Sequence, residues 1–142
     1  MKKIVKVSLI VFTLLAVLFS FAACNTVDAE GLWESATYRR DKSFGNGDTE
    51  ITLTVEAGEQ SVVFTVKTDK STLADALTEH GIISGEETEY GLSVYTVNGI
   101  TANWNTDKAY WALYVGEDYA TSGVSFIKIN NGDAYRFVYT AT

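Results

Sequence analysis

YWALYVGEDYATSGVSF, residues 110–126, places Tyr110, Trp111, Tyr114 and Tyr119 close together, with only Glu117 and Asp118 as charges among them. Side chains alternate along a strand, so Tyr110, Ala112 and Tyr114 share one face and Trp111, Leu113 and Val115 the other. The second face is wholly apolar, which reads as core and puts Trp111 inside. The first face, tyrosine-alanine-tyrosine, admits two readings: ordinary cross-strand packing, or a shallow platform for a ligand. Tyrosine suits recognition because it combines apolar area with a hydroxyl and loses little entropy on ordering. The GED turn folds Tyr119 back toward the end of this strand. Upstream, the polar stretch NWNTDK holds Trp104, an indole hard to explain as core.

Period-two patterning extends in both directions from this strand. Ile51, Leu53 and Val55 alternate with threonines, AGEQ makes a turn, and Val62, Phe64 and Val66 face one way in the next run. These two runs predict a β-hairpin. YGLSVYTV leads into Asn98-Gly99, a strong tight-turn signal. VSFIKI and AYRFVY read as further strands, and GLWESATY as a short edge strand, with FGNG as a turn. One helix signal interrupts them. In TDKSTLADALTEHG, Thr72 or Ser71 can cap the first turn and Asp75 lies three beyond Thr72. Leu73, Ala76, Leu77 and His80 form one stripe, and Gly81 can end the helix in the left-handed conformation. The fold class expected is α+β: a mixed sheet packed on one short helix, after an N-terminal signal helix.

MKKIVK followed by VSLIVFTLLAVLFSFA has the basic start and apolar run of a secretory signal, ending at Ala22-Ala23-Cys24. The only cysteine of the chain follows two alanines, resembling the bacterial lipobox, although Phe21 stands where leucine is usual. That pattern implies cleavage before Cys24 and a lipid on its thiol, which also explains a lone Cys in a secreted chain. An uncleaved anchor helix is the alternative, since Ile4–Ala23 is long enough to span a bilayer core of about 30 Å. The expected organisation is a signal peptide over 1–23, a lipidated Cys24 with a short tether over 24–31, and one domain over 32–142. The chain carries a net charge of −7, and losing Lys2, Lys3 and Lys6 with the signal makes it more acidic still. Such a body does not suit nucleic acid or an anionic lipid surface.

Enzyme chemistry finds little support. His80 is the only histidine, so no His-rich zinc set can be assembled and no candidate catalytic residue stands out. Glu86, Glu87 and Glu89 lack the alternating ladder and glycine of a calcium loop and read as a solvated loop. No metal site is expected, and the chain is not read as an enzyme.

TDKSTLADALTEHGIISGEE, YGLSVYTVNGITAN, KAYWALYV and TSGVSFIKINNGDAYRFVYT together resemble the C-terminal β-domain of the transcobalamin and intrinsic-factor proteins. They are still more similar to small bacterial surface lipoproteins catalogued as a domain of unknown function. The resemblance implies a β-grasp-like fold of the soluble-ligand-binding kind. It implies cobalamin or another corrinoid as a ligand, with no cofactor required. In the vitamin carriers a helical barrel covers the other side of the ligand, and residues 24–142 are expected to hold the β-domain alone. The expected function is therefore an extracytoplasmic, lipid-anchored binding protein at the cell membrane, offering a ring ligand to a transporter or surface partner. The alternative is an interaction module that docks another protein or a glycan. Candidate ligand contacts are Trp104, Tyr110, Trp111, Tyr114 and Tyr119, with Cys24 as the lipid attachment site.

Overall fold

The computed structural model describes residues 29–142. The expected signal over 1–23, the lipid on Cys24 and most of the tether lie outside the described residues. In chain order the elements are α1 (Ala29–Trp33), β1 (Lys42–Phe44), β2 (Thr49–Ala57), β3 (Gln60–Thr68), α2 (Leu73–Thr78), β4 (Ile83–Thr88) and β5 (Gly91–Val97). They continue with β6 (Ile100–Thr101), α3 (Trp104–Asp107), β7 (Ala109–Val115), β8 (Asp118–Tyr119), a 3₁₀ turn (Val124–Phe126) and β9 (Ala134–Ala141). The fold is α+β, mostly β, with few and short helices.

The strands form two sheets rather than one. A six-stranded mixed sheet runs β1-β3-β2-β9-β7-β8, and a three-stranded antiparallel sheet runs β4-β5-β6. The hairpin expected from residues 51–66 is β2–β3, in register from Thr49↔Thr68 to Ala57↔Gln60. Its inward residues Ile51, Leu53, Val55, Phe64 and Val66 are fully buried. Asn98 and Gly99 both have positive φ, 52° and 79°, and close the β5–β6 hairpin. Positive φ at both central residues is what a type I′ turn requires, and it matches the twist of the flanking strands.

The helix is α2, shorter than its apolar stripe. Thr72 caps it, its hydroxyl accepting from the Asp75 amide at 3.2 Å. Gly81 at φ 67° ends it, with the Ile82 amide donating back to the Leu77 carbonyl at 3.0 Å. Leu73, Ala74, Ala76 and Leu77 are buried. A helix this short is held by that packing rather than by propensity.

Three segments depart from expectation. GLWESATY is no edge strand: its start belongs to α1, and Trp33 is buried with its indole N–H donating to the Ala57 carbonyl at 2.9 Å. A buried tryptophan needs that partner, and the end of the hairpin supplies it. VSFIKI is no strand either. Val124–Phe126 is a 3₁₀ turn, and the following residues bond to the helix entry, with Leu73 N–H on Ile127 C=O at 2.9 Å and Ile129 N–H on Ser71 C=O at 3.1 Å. Its alternating pattern buries Val124 but leaves Phe126 63% exposed, because only one side of the segment meets protein. Glu86 and Glu87, expected in a loop, lie on strand β4 with exposed side chains. Pairing with β5 fixes their backbone while water takes their charges.

Candidate functional site

A cleft of about 330 Å³ lies where β5 approaches the inward face of β7. Leu92 to Tyr95 of β5 form one wall. Trp111 and Leu113 of β7, with Phe137 of β9, form another, and the segment after β8, Ala120 to Val124, closes a third side. Trp104, Tyr110 and Tyr119 also line it, with Ala102 and Ala109. No lining residue is charged, in a chain whose residues are 20% charged. The cleft is thus built for neutral, partly apolar chemistry with hydroxyls from Ser93, Ser122 and tyrosines at hand.

Each aromatic side chain is placed by local structure. Trp111 is 8% exposed, donates its indole N–H to the Ile100 carbonyl at 3.1 Å, and packs edge-on against Tyr139 and Phe137. It is core that also floors the cleft, as its face of the strand foretold. Trp104 opens α3. Asn103 caps that turn by accepting from the Asn105 amide at 2.8 Å, and Lys108, in the left-handed conformation at φ 49°, ends it. The Lys108 ammonium lies 5.6 Å from the Trp104 ring centroid, a cation–π arrangement that leaves the indole 51% exposed.

The tyrosine face does not form one continuous platform with the loops. It divides into two aromatic pairs at opposite ends of β7. Trp104 lies 6.4 Å from Tyr110, and Tyr119 meets Tyr114 edge-on at 5.5 Å. The second pair follows from register, since Tyr114 is paired with Tyr119 across β7–β8. Directly opposed residues share a face, and Tyr114 does not line the cleft. Its ring instead carries the Arg136 guanidinium at 4.4 Å, which is also 3.4 Å from the Glu56 carboxylate. Of the five candidates, Trp104, Tyr110, Trp111 and Tyr119 meet at the cleft and Tyr114 does not.

Sequence reasoning missed the β5 wall. Tyr95 was the available signal, an aromatic in a strand, 43% exposed, whose hydroxyl donates to Glu86 at 3.4 Å. Nothing in the alternation of YGLSVYTV says which strand lies opposite it. His80 sits away from the cleft, half-buried. Its Nε2 lies 3.7 Å from a Glu79 carboxylate oxygen without a hydrogen bond, and its ring is 5.5 Å from that of Phe44. Among the described residues no three His, Cys, Asp or Glu side chains gather as a metal cluster.

An α+β domain carrying an uncharged aromatic cleft between two sheets is the class of protein these features define. The chain belongs to the family described as Domain of unknown function (DUF4430), which it matches over residues 70–141. Among solved structures it is similar to a protein of Ruminococcus gnavus ATCC 29149 described as a candidate metal binding protein. The identity is 28%, covering 67% of this chain and 99% of that one, with a TM-score of 0.63. It is also similar to haptocorrin in complex with Cbi, at 19% identity and a TM-score of 0.54. That match covers 69% of this chain but only 26% of haptocorrin, so it bears on the fold alone. No curated protein matches the chain.

Proposed function

We propose that this chain is a lipid-anchored extracytoplasmic binding protein, not an enzyme, that holds part of a neutral ring ligand of the corrinoid kind in the cleft between β5 and β7. The carrying observation is that the cleft is aromatic and free of charged side chains in a protein of net charge −7. In this reading residues 1–23 are a signal peptide, Cys24 bears the lipid, and residues 32–142 are a β-grasp-like domain of the transcobalamin C-terminal kind. The likeness to haptocorrin supports the fold, and the corrinoid in that structure suggests the ligand. A cleft of about 330 Å³ is at the small end for ligand sites, so a corrin ring would seat one edge and leave the rest to a partner or to water.

The test is a thermal-shift series on the full chain in detergent with cobalamin, cobinamide and haem. A ligand at a hundredfold excess over its Kd stabilises by about 2.7 kcal/mol. A rise in Tm with at least one corrinoid is expected, and no rise with either corrinoid overturns the ligand. Cys24→Ser is expected to abolish partitioning into the detergent phase in cells. A correctly cut Cys24→Ser chain that still partitions overturns the anchor.

A further inference from the structure

The small sheet leaves part of one strand edge without a strand partner, and that edge is a wall of the cleft. Strand β4 pairs with β5 from Gly91 to Val97, with a register shift that leaves Tyr95 without a partner. On the opposite edge β6 pairs only Thr96 and Val97, and the last bond is the Ala102 amide on the Tyr95 carbonyl at 2.8 Å. Beyond Tyr95 no strand pairs with this edge, and the 3₁₀ turn meets it only at its far end, at Gly91 and Leu92. The Leu92 amide is turned away from β4, since it donates at 2.9 Å to the Ser125 hydroxyl in the segment across the cleft. The N–H and C=O of one strand residue point to the same side, so the Leu92 carbonyl lies on the same edge, and Leu92 itself lines the cleft. Counted from Leu92, the period of two turns the Val94 amide the same way, and the bulge at Tyr95, where the register with β4 shifts, lets the Tyr95 carbonyl lie on that edge too.

We infer that the Leu92 carbonyl and the Val94 amide are the hydrogen-bonding elements of the cleft, and that its ligand presents carboxamide groups to them. This deepens the binding function proposed above and rests on it. An acceptor and a donor flanking one residue are what an added strand uses when it pairs with a free edge. A backbone pair also explains how a cleft without charged side chains gains orientation: neutral amides match neutral amides, whereas a carboxylate would meet no cation among the lining residues. The small lining residues Ala102, Ala109, Ala120 and Gly123 leave room for a chain or ring edge to approach the strand. Carboxamides of this kind come from two sources, the amide fringe of a corrinoid or an extended peptide.

Hydrogen exchange followed by NMR on the full chain in detergent tests this, with Val97, paired to Ile100 in the hairpin, as the internal reference. In the free chain Val94 should exchange at least about tenfold faster than Val97, as unpaired backbone does. Cobinamide, or a blocked tetra-alanine peptide, should slow Val94 by a similar factor, and whichever does so identifies the source. Haem, a ring with carboxylates and no amides, should leave Val94 unchanged. Val94 exchanging as slowly as Val97 in the free chain overturns the inference. So does slowing by haem equal to that by cobinamide. A corrinoid that raises Tm without slowing Val94 overturns the inference but leaves the proposed function standing. If no probe raises Tm or slows Val94, both fall.

Discussion

The two ends of the large sheet share one alternating pattern and reach different outcomes. At β2–β3 the inward residues Ile51, Leu53, Val55, Phe64 and Val66 are sealed in one core with Leu73 and Leu77 of α2. At β7–β8 the inward residues Trp111 and Leu113 are nearly as buried, yet Trp104 and Tyr119 beside them stay 51% and 58% exposed. The difference lies in the covering element. Helix α2 presents four buried side chains to the core, while the small sheet has a two-residue strand, β6, on its cleft side. A two-residue strand cannot cover a seven-residue neighbour, and the uncovered length becomes the cleft wall. Binding surface arises here where the covering layer runs short, not where the strand pattern fails.

That contrast breaks first on stability. Trp111→Ala should cost about 3–5 kcal/mol and Leu77→Ala about 2–5 kcal/mol, the range for buried aromatic and aliphatic truncations. Urea denaturation at neutral pH reads both. Comparable losses mean that the cleft end is core beneath its opening. A Trp111→Ala loss under about 1 kcal/mol, below the usual range for a buried aromatic, would mean that only the α2 end holds the fold.

What could be read from the sequence follows the same division. The β2–β3 hairpin, the Asn98-Gly99 turn, the Thr72 cap and the burial of Trp111 and Leu113 on β7 are local signals, each specified within a few residues, and each is present, whereas Val115 on the same face is exposed at the strand's end. VSFIKI and GLWESATY were misread because alternation reports burial, not a strand partner. Val124 and Trp33 are buried against the helix entry and the hairpin end, long-range neighbours that no short window contains. The site was half legible for the same reason. Local clustering and alternation singled out Trp104, Tyr110, Trp111 and Tyr119, which line the cleft, but the β5 wall depends on which strands the two sheets bring together. Tyr114, singled out with them, does not line the cleft: its ring lies against Arg136 at the β8 end of β7.

The aromatic rim sharpens the comparison with a smaller effect. Trp104→Ala and Tyr119→Ala should weaken binding of whichever corrinoid raises Tm by about 1–3 kcal/mol, as for interface anchors. Being surface substitutions, they should move the stability of the free chain by less than about 0.5 kcal/mol. Tyr114→Ala should leave affinity unchanged, since its ring lies off the cleft under Arg136. Isothermal titration read beside denaturation separates the two effects. Should Trp104→Ala or Tyr119→Ala unfold the domain while binding persists, the rim is core, and the open end of the molecule is closed in solution.

The smallest effect expected concerns Tyr135, a residue of the sealed interior whose hydroxyl reaches the NNGD turn. Its O–H donates to the Asp133 carboxylate at 2.9 Å, and that same oxygen accepts the Asn130 amide at 2.8 Å. Burial, then the hydrogen bond to Asp133, then the negative charge of Asp133, push the Tyr135 phenol well above its ordinary value near 10. The fold therefore holds the neutral phenol, and its contribution is fully present below pH 10. Above that pH the unfolded chain ionises first and binds fewer protons than the native chain, so stability falls as pH rises. Tyr139 adds a contribution of the same sign, raised by burial and then by Asp107. Tyr135→Phe should cost about 1 kcal/mol at pH 8, the net worth of one hydrogen bond. It should also lose less stability than the wild type between about pH 8 and pH 11, while keeping the part due to Tyr139. Denaturation curves of the two chains at both pH values measure the difference. Parallel losses would show that the Tyr135 hydroxyl reaches water at high pH, and that the sealed end opens there as readily as the cleft.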